Sequence, residues 1–229
     1  MMPGALRHLS YTIDGLAEQL LVIGDGSPRV LFVPPLFDEM NRMRRTLVLA
    51  MHALAQRDIA SALMDLPGCN ESLAQLDTQS LTRWRDAVAA AAAVTAPDCL
   101  ASLRGGCLID DGADTAHRWR LSPAKGASLL KTLLRTRIAG EREDGRTVTA
   151  AQLIEQSRLA PIELAGNWLG PQMVAELHDA VPAALPAREV KPGTGPSTIT
   201  GSALWLRAEP GEDAAMADAI ASDIAQLMA

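Results

Sequence analysis

The sequence is poor in aromatic residues and in positive charge, and each shortage excludes a class of protein. Phe, Trp and Tyr make up 3% of the 229 residues, too few for a platform on which successive nucleic-acid bases stack. The formal net charge is -6 at pH 7, whereas a general nucleic-acid binder carries an excess of Lys and Arg. We therefore expect no nucleic acid among the partners.

Cysteines and long apolar runs are also scarce. Cys69, Cys99 and Cys107 lie far apart, in neither a disulfide framework nor the close ligand spacing of a zinc site. No stretch approaches the roughly 20 consecutive apolar residues that cross a bilayer, and residues 1–8 do not resemble a secretory signal. The sequence predicts a cytoplasmic protein without a metal, another cofactor or a membrane span.

The chain is rich in short apolar segments. With 48% hydrophobic and 21% charged residues it can bury a core. Short apolar runs between turn residues predict strands, and apolar residues three or four positions apart predict helices. The predicted strands cover residues 6–13, 19–23, 29–33, 59–64, 99–103, 117–121, 162–165 and 203–207. The predicted helices cover residues 39–57, 81–94, 126–139, 149–157, 171–178 and 214–228.

This order of elements predicts the fold class. Strands that alternate with helices after an opening β meander indicate an α/β fold, with a mostly parallel sheet covered by helices on both faces. Residues 182–201, rich in Pro, Gly and Thr, are predicted to form a long loop. We expect one domain over residues 1–229 with a small helical insertion at about 122–160. Ligands of such sheets bind beyond the carboxyl ends of the strands.

The segment after the predicted fourth strand is DLPGCNES, residues 65–72. It resembles the Asp-Leu-x-Gly-x-Gly-x-Ser stretch of the α/β-hydrolase fold, with Asn70 in place of the second glycine. Asparagine also tolerates a left-handed backbone. The resemblance implies an α/β-hydrolase-like three-layer sandwich in which the 122–160 insertion forms a small helical cap.

Further segments occur in a specific order along the chain. They are PPLFDEMN at 34–41 followed by two arginines, WRLSP at 119–123, LLRTR at 133–137, IELAG at 162–166 and the stretch 204–210. Over most of residues 30–229 this order resembles the exosortase A system-associated hydrolases of type 2, which are linked to bacterial exopolysaccharide loci. The resemblance implies a hydrolase of an acyl or saccharide ester.

The nucleophile position of this fold is occupied by an arginine. An α/β-hydrolase holds its nucleophile on a sharp strand-to-helix turn, Gly-x-Ser-x-Gly, and the corresponding stretch is SLRGG, residues 102–106. Arg104 takes the place of the nucleophile, Ser102 that of the first glycine, and Gly106 closes the turn. A guanidinium stays protonated and cannot attack a carbonyl carbon. The related hydrolases also tend to carry Arg at this position.

No histidine is placed to complete a Ser-His-Asp triad. The catalytic base of this fold follows the last strand, where the chain has only AEPGED, residues 208–213. His8, His52, His117 and His178 lie in predicted strands and helices elsewhere. A serine nucleophile needs an imidazole within hydrogen-bond reach, so the sequence offers no recognisable triad.

Two side chains near the turn are alternative nucleophiles. Cys107 follows the turn and is predicted to start a helix, whose dipole would lower the thiol pKa; otherwise it is a small buried hydrophobe. Ser102 is either catalytic or directed from its strand into the packing. Cys69 and Ser72 lie in a loop near the predicted cleft, without an evident base.

Polar side chains are predicted to converge on the carboxyl ends of the strands and form a ligand site. Arg104 is central, because its guanidinium can bind a carboxylate or a phosphate through two hydrogen bonds, unless Glu39 or Glu209 already pairs with it. Arg42 and Arg44 are expected on a solvated helix face. The predicted ligand-binding residues are Asp38, Glu39, Asn41, Arg45, Arg104 and Glu209.

Two functions follow from the sequence. The residues favour a non-catalytic protein that binds a small-molecule, saccharide or acyl ligand, or a protein partner, through the Arg104 site. The family resemblance favours an esterase-like hydrolase with an unorthodox nucleophile. A homodimer is compatible with both hypotheses.

Overall fold

The computed structural model describes residues 5–27 and 29–229. Strands and helices alternate along this part of the chain. The strands are β1 (Leu6–Ile13), β2 (Leu16–Ile23), β3 (Val30–Val33), β4 (Ser61–Met64), β5 (Cys99–Leu103), β6 (His117–Leu121), β7 (Ile162–Leu164), β8 (Asn167–Leu169), β9 (Arg188–Pro192) and β10 (Thr198–Ile199). The α-helices are α1 (Asp38–Ala55), α2 (Leu81–Thr95), α3 (Gly126–Glu143), α4 (Ala150–Ser157), α5 (Pro171–Asp179) and α6 (Ala214–Leu227).

Most of the strands form one mostly parallel sheet. Their order across the sheet is β1-β2-β4-β3-β5-β6-β9-β10. Strand β2 runs antiparallel to β1 and to β4, and the other neighbouring pairs are parallel. The parallel strands β3, β4 and β5 are connected through α1 and α2, because parallel neighbours need a long crossover. The predicted α/β fold with an opening meander is confirmed.

Helices cover both faces of the sheet and enclose two cores. Side chains alternate between the faces of a strand, so Leu31 and Val33 of β3 pack on the same side as Trp84 of α2. Val30 and Phe32 pack on the other side, with the apolar stripes of α1 and α6. Strands β3, β4 and β5 are buried on both faces, which explains their short apolar sequences. The chain is therefore a three-layer sandwich.

Two of the predicted elements are wrong, and a third lies outside the main sheet. The predicted loop 182–201 contains β9 and β10, whose sequences gave no strand signal because Val190 alone is buried in β9. The predicted strand 203–207 is a short 3-10 helix, Leu204–Leu206, in which Leu204 and Trp205 are buried in the core formed with α1 and α6. The strand predicted at 162–165 pairs with β8 in a separate hairpin.

Between β6 and β9 the chain leaves the main sheet and forms α3, α4, the β7–β8 hairpin and α5. The insertion predicted at 122–160 includes the first two of these helices. Leu129 and Leu133 of α3 face the turn that follows β5, so this segment lies over the carboxyl ends of the parallel strands. Neither these helices nor the others in the described residues are long and apolar enough to span a bilayer.

Two glycines of α3 give opposite predictions for alanine substitution. A Cβ at Gly126 would lie 2.3 Å from the carbonyl oxygen of Leu177 in α5, so we expect Gly126→Ala to lower the free energy of unfolding by about 1–3 kcal/mol. A Cβ at Gly140 would meet no atom within 4 Å. Gly140→Ala should therefore raise the free energy of unfolding by about 0.5–1 kcal/mol, since alanine is the better helix former.

Urea unfolding followed by circular dichroism measures both changes. Because the two substitutions are chemically identical and lie in one helix, equal effects on the unfolding midpoint would contradict the packing argument for α3 and α5.

Candidate functional site

A sharp turn follows β5 at the carboxyl edge of the sheet. Arg104 has φ 53°, a left-handed conformation that costs a residue with a Cβ about 1–2 kcal/mol. A Cβ on Gly105 would lie 2.7 Å from Leu129 Cδ1, and one on Gly106 would lie 2.4 Å from the carbonyl oxygen of Pro34. The turn therefore requires glycine at position 106, where the obstacle is backbone, whereas a side chain at position 105 would press on the side chain of Leu129. It continues as a 3-10 helix over Arg104–Leu108, so Cys107 lies inside a short helix and does not start one as predicted.

Arg104 is held by groups on three sides. Its Nε and Nη2 donate to Glu39 Oε2 and Oε1 at 3.1 and 3.2 Å. Its Nη1 donates to the carbonyl oxygen of Ser122 at 3.0 Å, and the guanidinium carbon lies 4.7 Å from the centroid of the Trp205 ring. A carboxylate, a carbonyl and an aromatic face therefore satisfy this cation inside the protein.

The Glu39–Arg104 pair lines a cavity of about 100 Å³, which we call the Arg104 cavity. Asp38 and Arg42 stand at its polar side, and Leu129 is among the residues of its apolar side. Binding sites for small molecules usually enclose about 300–1,000 Å³. In this conformation the Arg104 cavity therefore accommodates only a few non-hydrogen atoms.

Burial changes the pKa of Glu39. Desolvation raises the pKa of this carboxyl group, and the hydrogen bonds and charge of Arg104 oppose the rise without cancelling it. With the pKa raised in the folded state, stability from Glu39 is complete below its ordinary pKa and falls as the pH rises through the raised value. At neutral pH the Glu39 carboxylate is therefore desolvated at a cost that Arg104 offsets only in part.

Three of the predicted ligand-binding residues come together and three do not. Asp38, Glu39 and Arg104 line the Arg104 cavity. Asn41 and Arg45 are exposed on α1, where Arg45 pairs with Glu212 at 2.8 Å. Glu209 is also exposed and does not line this cavity.

Arg42 and Arg44 are expected on a solvated helix face, and both are partly exposed, but each also has a partner elsewhere in the fold. Arg42 donates to the carbonyl oxygen of Trp205 at 3.0 Å and lies 3.8 Å from Asp38. Arg44 binds the buried carboxylate of Asp65 at 3.0 Å. The spacing of four between Asp38 and Arg42 is a sequence signal for such a pair, whereas the contacts with Trp205 and Asp65 depend on the tertiary fold.

The alternative nucleophiles are buried behind the turn. Ser102 and Cys107 have no exposed surface. Ser102 Oγ donates to Asp110 Oδ2 at 2.7 Å, and Cys107 Sγ lies 3.3 Å from Ser102 Oγ. Burial raises the pKa of Cys107 to about 12, which opposes formation of the reactive thiolate.

Asp110 belongs to an ion pair that sequence reasoning missed. Arg120 donates to Asp110 through Nε and Nη2, both at 2.8 Å, and both side chains are buried. Arg120 also reaches the carbonyl oxygen of Ala183 at 2.9 Å. The available signal was an arginine between Trp119 and Leu121 in a predicted strand, since a buried cation requires a partner.

No histidine is hydrogen-bonded to Ser102, Cys107 or Cys69 in residues 5–27 and 29–229. Burial also raises the pKa of Cys69 to about 12. Ser72 donates to Glu18 Oε1 at 2.8 Å and accepts from the backbone of its own loop, so its hydroxyl is engaged in the structure of that loop. Across the described part of the chain, no three His, Cys, Asp or Glu side chains form a metal-ligating group.

No family model matches the sequence, and no curated protein is significantly similar to it. Similar solved structures include a protein of Agrobacterium vitis S4 assigned as a hydrolase, with 16% identity, coverage of 77% of this chain and 72% of that one, and a TM-score of 0.48. Epoxide hydrolases of Vigna radiata and Solanum tuberosum have 16% and 20% identity and TM-scores of 0.43 and 0.44. They cover 51% and 52% of this chain, which spans only 40% of each.

The topology of the sheet and the helices on its two faces decide the fold class. The sheet is parallel apart from its opening meander, and helices cover both of its faces. The fold is α/β-hydrolase-like. At the carboxyl edge of this sheet the turn after β5 presents Arg104, paired with Glu39.

The Glu39–Arg104 pair is expected to behave as a coupled unit. Arg104→Met leaves Glu39 as a buried carboxylate without its counter-ion, and Glu39→Gln removes the charge that neutralises Arg104. The two single substitutions together should therefore lower the free energy of unfolding by more than the double substitution does. We expect a coupling energy of about 1–3 kcal/mol from a double-mutant cycle in urea.

The matched control is the pair Arg158 and Glu155, whose side chains are each 68% exposed. Its coupling should stay below about 0.5 kcal/mol because water screens exposed charges. Equal coupling energies for the two pairs would show that Arg104 is not held by Glu39 as the geometry indicates.

Proposed function

We propose that this protein is a non-catalytic member of the α/β-hydrolase fold class that binds a protein partner at the mouth of the Arg104 cavity. The observation that carries the proposal is the capture of the Arg104 guanidinium by Glu39, Ser122 and Trp205. A paired guanidinium at the nucleophile position neither attacks a substrate nor is free to bind a ligand anion.

The size of the cavity favours a partner over a small-molecule ligand. A ligand carboxylate would have to displace Glu39 from Arg104 and fit into about 100 Å³. A protein partner needs neither change, because it binds to the rim. Leu206 of the rim is 77% exposed. Trp168, which follows the Asn167 that donates to Asp38, is 59% exposed. Exposed tryptophan is typical of binding hot spots.

The sequence resemblance supports a narrower proposal about context. The segments at 34–41, 119–123 and 162–166 are similar to the type 2 hydrolases of the exosortase A system. We infer a cytoplasmic role in a bacterial exopolysaccharide locus, with the partner a protein of the same locus. This inference rests on resemblance alone.

One observation favours a second function, an esterase with an unorthodox nucleophile. Ser102 Oγ lies 2.7 Å from a carboxylate oxygen of Asp110, and a carboxylate can accept a hydroxyl proton. Two facts weaken this alternative: Ser102 is inaccessible to substrate, and Asp110 is neutralised by Arg120. Access would require the turn after β5 to open.

The catalytic question is tested with p-nitrophenyl acetate and p-nitrophenyl octanoate. We expect the purified protein to hydrolyse neither ester faster than an equal concentration of serum albumin, because no described side chain is both exposed and activated. Ser102→Ala and Cys107→Ala serve as matched variants, with their folding verified by circular dichroism. Hydrolysis well above the albumin rate that disappears in either variant would establish the esterase.

The binding role is tested by complementation of exopolysaccharide production in a host strain that lacks the gene. We expect the double variant Leu206→Glu, Trp168→Glu to fail, because charge at Leu206 of the rim and at Trp168, next to Asn167, opposes an apolar contact, while Ser102→Ala complements fully. Val94→Glu, which charges an apolar side chain that is 49% exposed on α2, is the control and should complement. Full complementation by the rim variant would contradict the proposed surface.

A further inference from the structure

A second, larger cavity lies beside another face of α3. Leu129 and Leu133 of this helix line the Arg104 cavity, whereas Leu130 and Leu134 line a groove of about 390 Å³. Residues of α4 and α5 complete its walls. We call it the α3–α4 groove. It shares no lining residue with the Arg104 cavity, so it is independent of the function proposed above.

The floor of the α3–α4 groove is apolar. Leu130, Leu134 and Ile138 project from α3, and Ile154 faces them from α4. Two small residues, Ala127 and Ala150, also line the groove. Ile138 and Ile154 remain partly exposed, so a ligand that covers them removes apolar surface from water.

The mouth of the groove is cationic although the whole chain has a net charge of -6. Lys131 and Arg135, one helical turn apart on α3, line it together with His178 of α5, and no Asp or Glu does. His178 contacts Asp179 at 2.6 Å. Lys131 and Arg135 are exposed and form no salt bridge with any other residue in 5–27 and 29–229, in contrast to the nearby Arg137.

We propose that the α3–α4 groove binds an anionic amphiphile with a single acyl chain. The chain lies along Leu130, Leu134 and Ile154, and the carboxylate or phosphate head group binds Lys131 and Arg135. The volume falls within the range of about 300–1,000 Å³ that small-molecule sites enclose. The few lining residues fall short of the roughly 20–30 that a stable protein interface uses on each side, so a small amphiphile fits better than an acidic helix.

The test is isothermal titration of the full chain with dodecanoate and dodecyl phosphate, below their micelle concentrations. We expect one molecule to bind per chain, and the double variant Lys131→Glu, Arg135→Glu to weaken binding at least about tenfold. The matched control is Lys125→Glu, Arg142→Glu, which changes the net charge equally with two exposed residues of the same region that do not line the groove. It should bind within about twofold of the original chain.

Three results would overturn the proposal. The first is no binding of either anionic amphiphile, and the second is equal weakening by both double variants, which would indicate a general charge effect. The third is equally tight binding of the neutral dodecyl maltoside, which would remove the role of Lys131 and Arg135. An acidic amphipathic peptide that binds while both amphiphiles fail would reassign the groove to a protein partner. A difference between dodecanoate and dodecyl phosphate identifies the head group.

Discussion

The charge of Arg104 must be neutralised inside the protein, and the carboxyl edge of the sheet is built around that requirement. The guanidinium of Arg104 cannot lose its proton, and the turn after β5 holds it where little water remains. Glu39 at the start of α1, the carbonyl oxygen of Ser122 after β6, and Trp205 before α6 all contact it. These groups come from three separate connections of the chain. The contacts that neutralise this cation therefore hold together the connections that form the carboxyl edge of the sheet. A second ion pair, Asp110 and Arg120, is buried behind the turn.

The sequence predicted what depends on local pattern. Apolar runs identified β3 and β5, three- and four-residue spacing identified α1 and α6, and SLRGG identified the turn with Arg104 at its tip. It failed where tertiary contacts decide the structure. Strand β9 buries only Val190 and so carries no apolar pattern, while the apolar Leu204–Leu206 packs as a 3-10 helix. Within the candidate site, Glu39 was one of two acids considered for Arg104, and only the folded chain selects it over the exposed Glu209.

The missed contacts share a physical reason. Arg42, Arg44 and Arg120 each satisfy a group that is distant in sequence, and amphipathic periodicity contains no information about such partners. A charged residue within or beside an apolar run does signal that a counter-ion must exist, because an unpaired buried charge is too costly. It does not identify the counter-ion. Helix α3 illustrates the same limit, since its leucines are divided between the Arg104 cavity and the α3–α4 groove.

The pairing of Arg104 with Glu39 also bears on protein engineering. Arg104→Ser would place a hydroxyl at the tip of a turn whose backbone is left-handed. The same change would leave the Glu39 carboxylate without its counter-ion, next to the place where negative charge develops during ester hydrolysis. A like charge there opposes the reaction. A designer would have to replace Glu39 and supply an imidazole after the last strand in the same round. The charges around the turn therefore set how many substitutions would have to be made together.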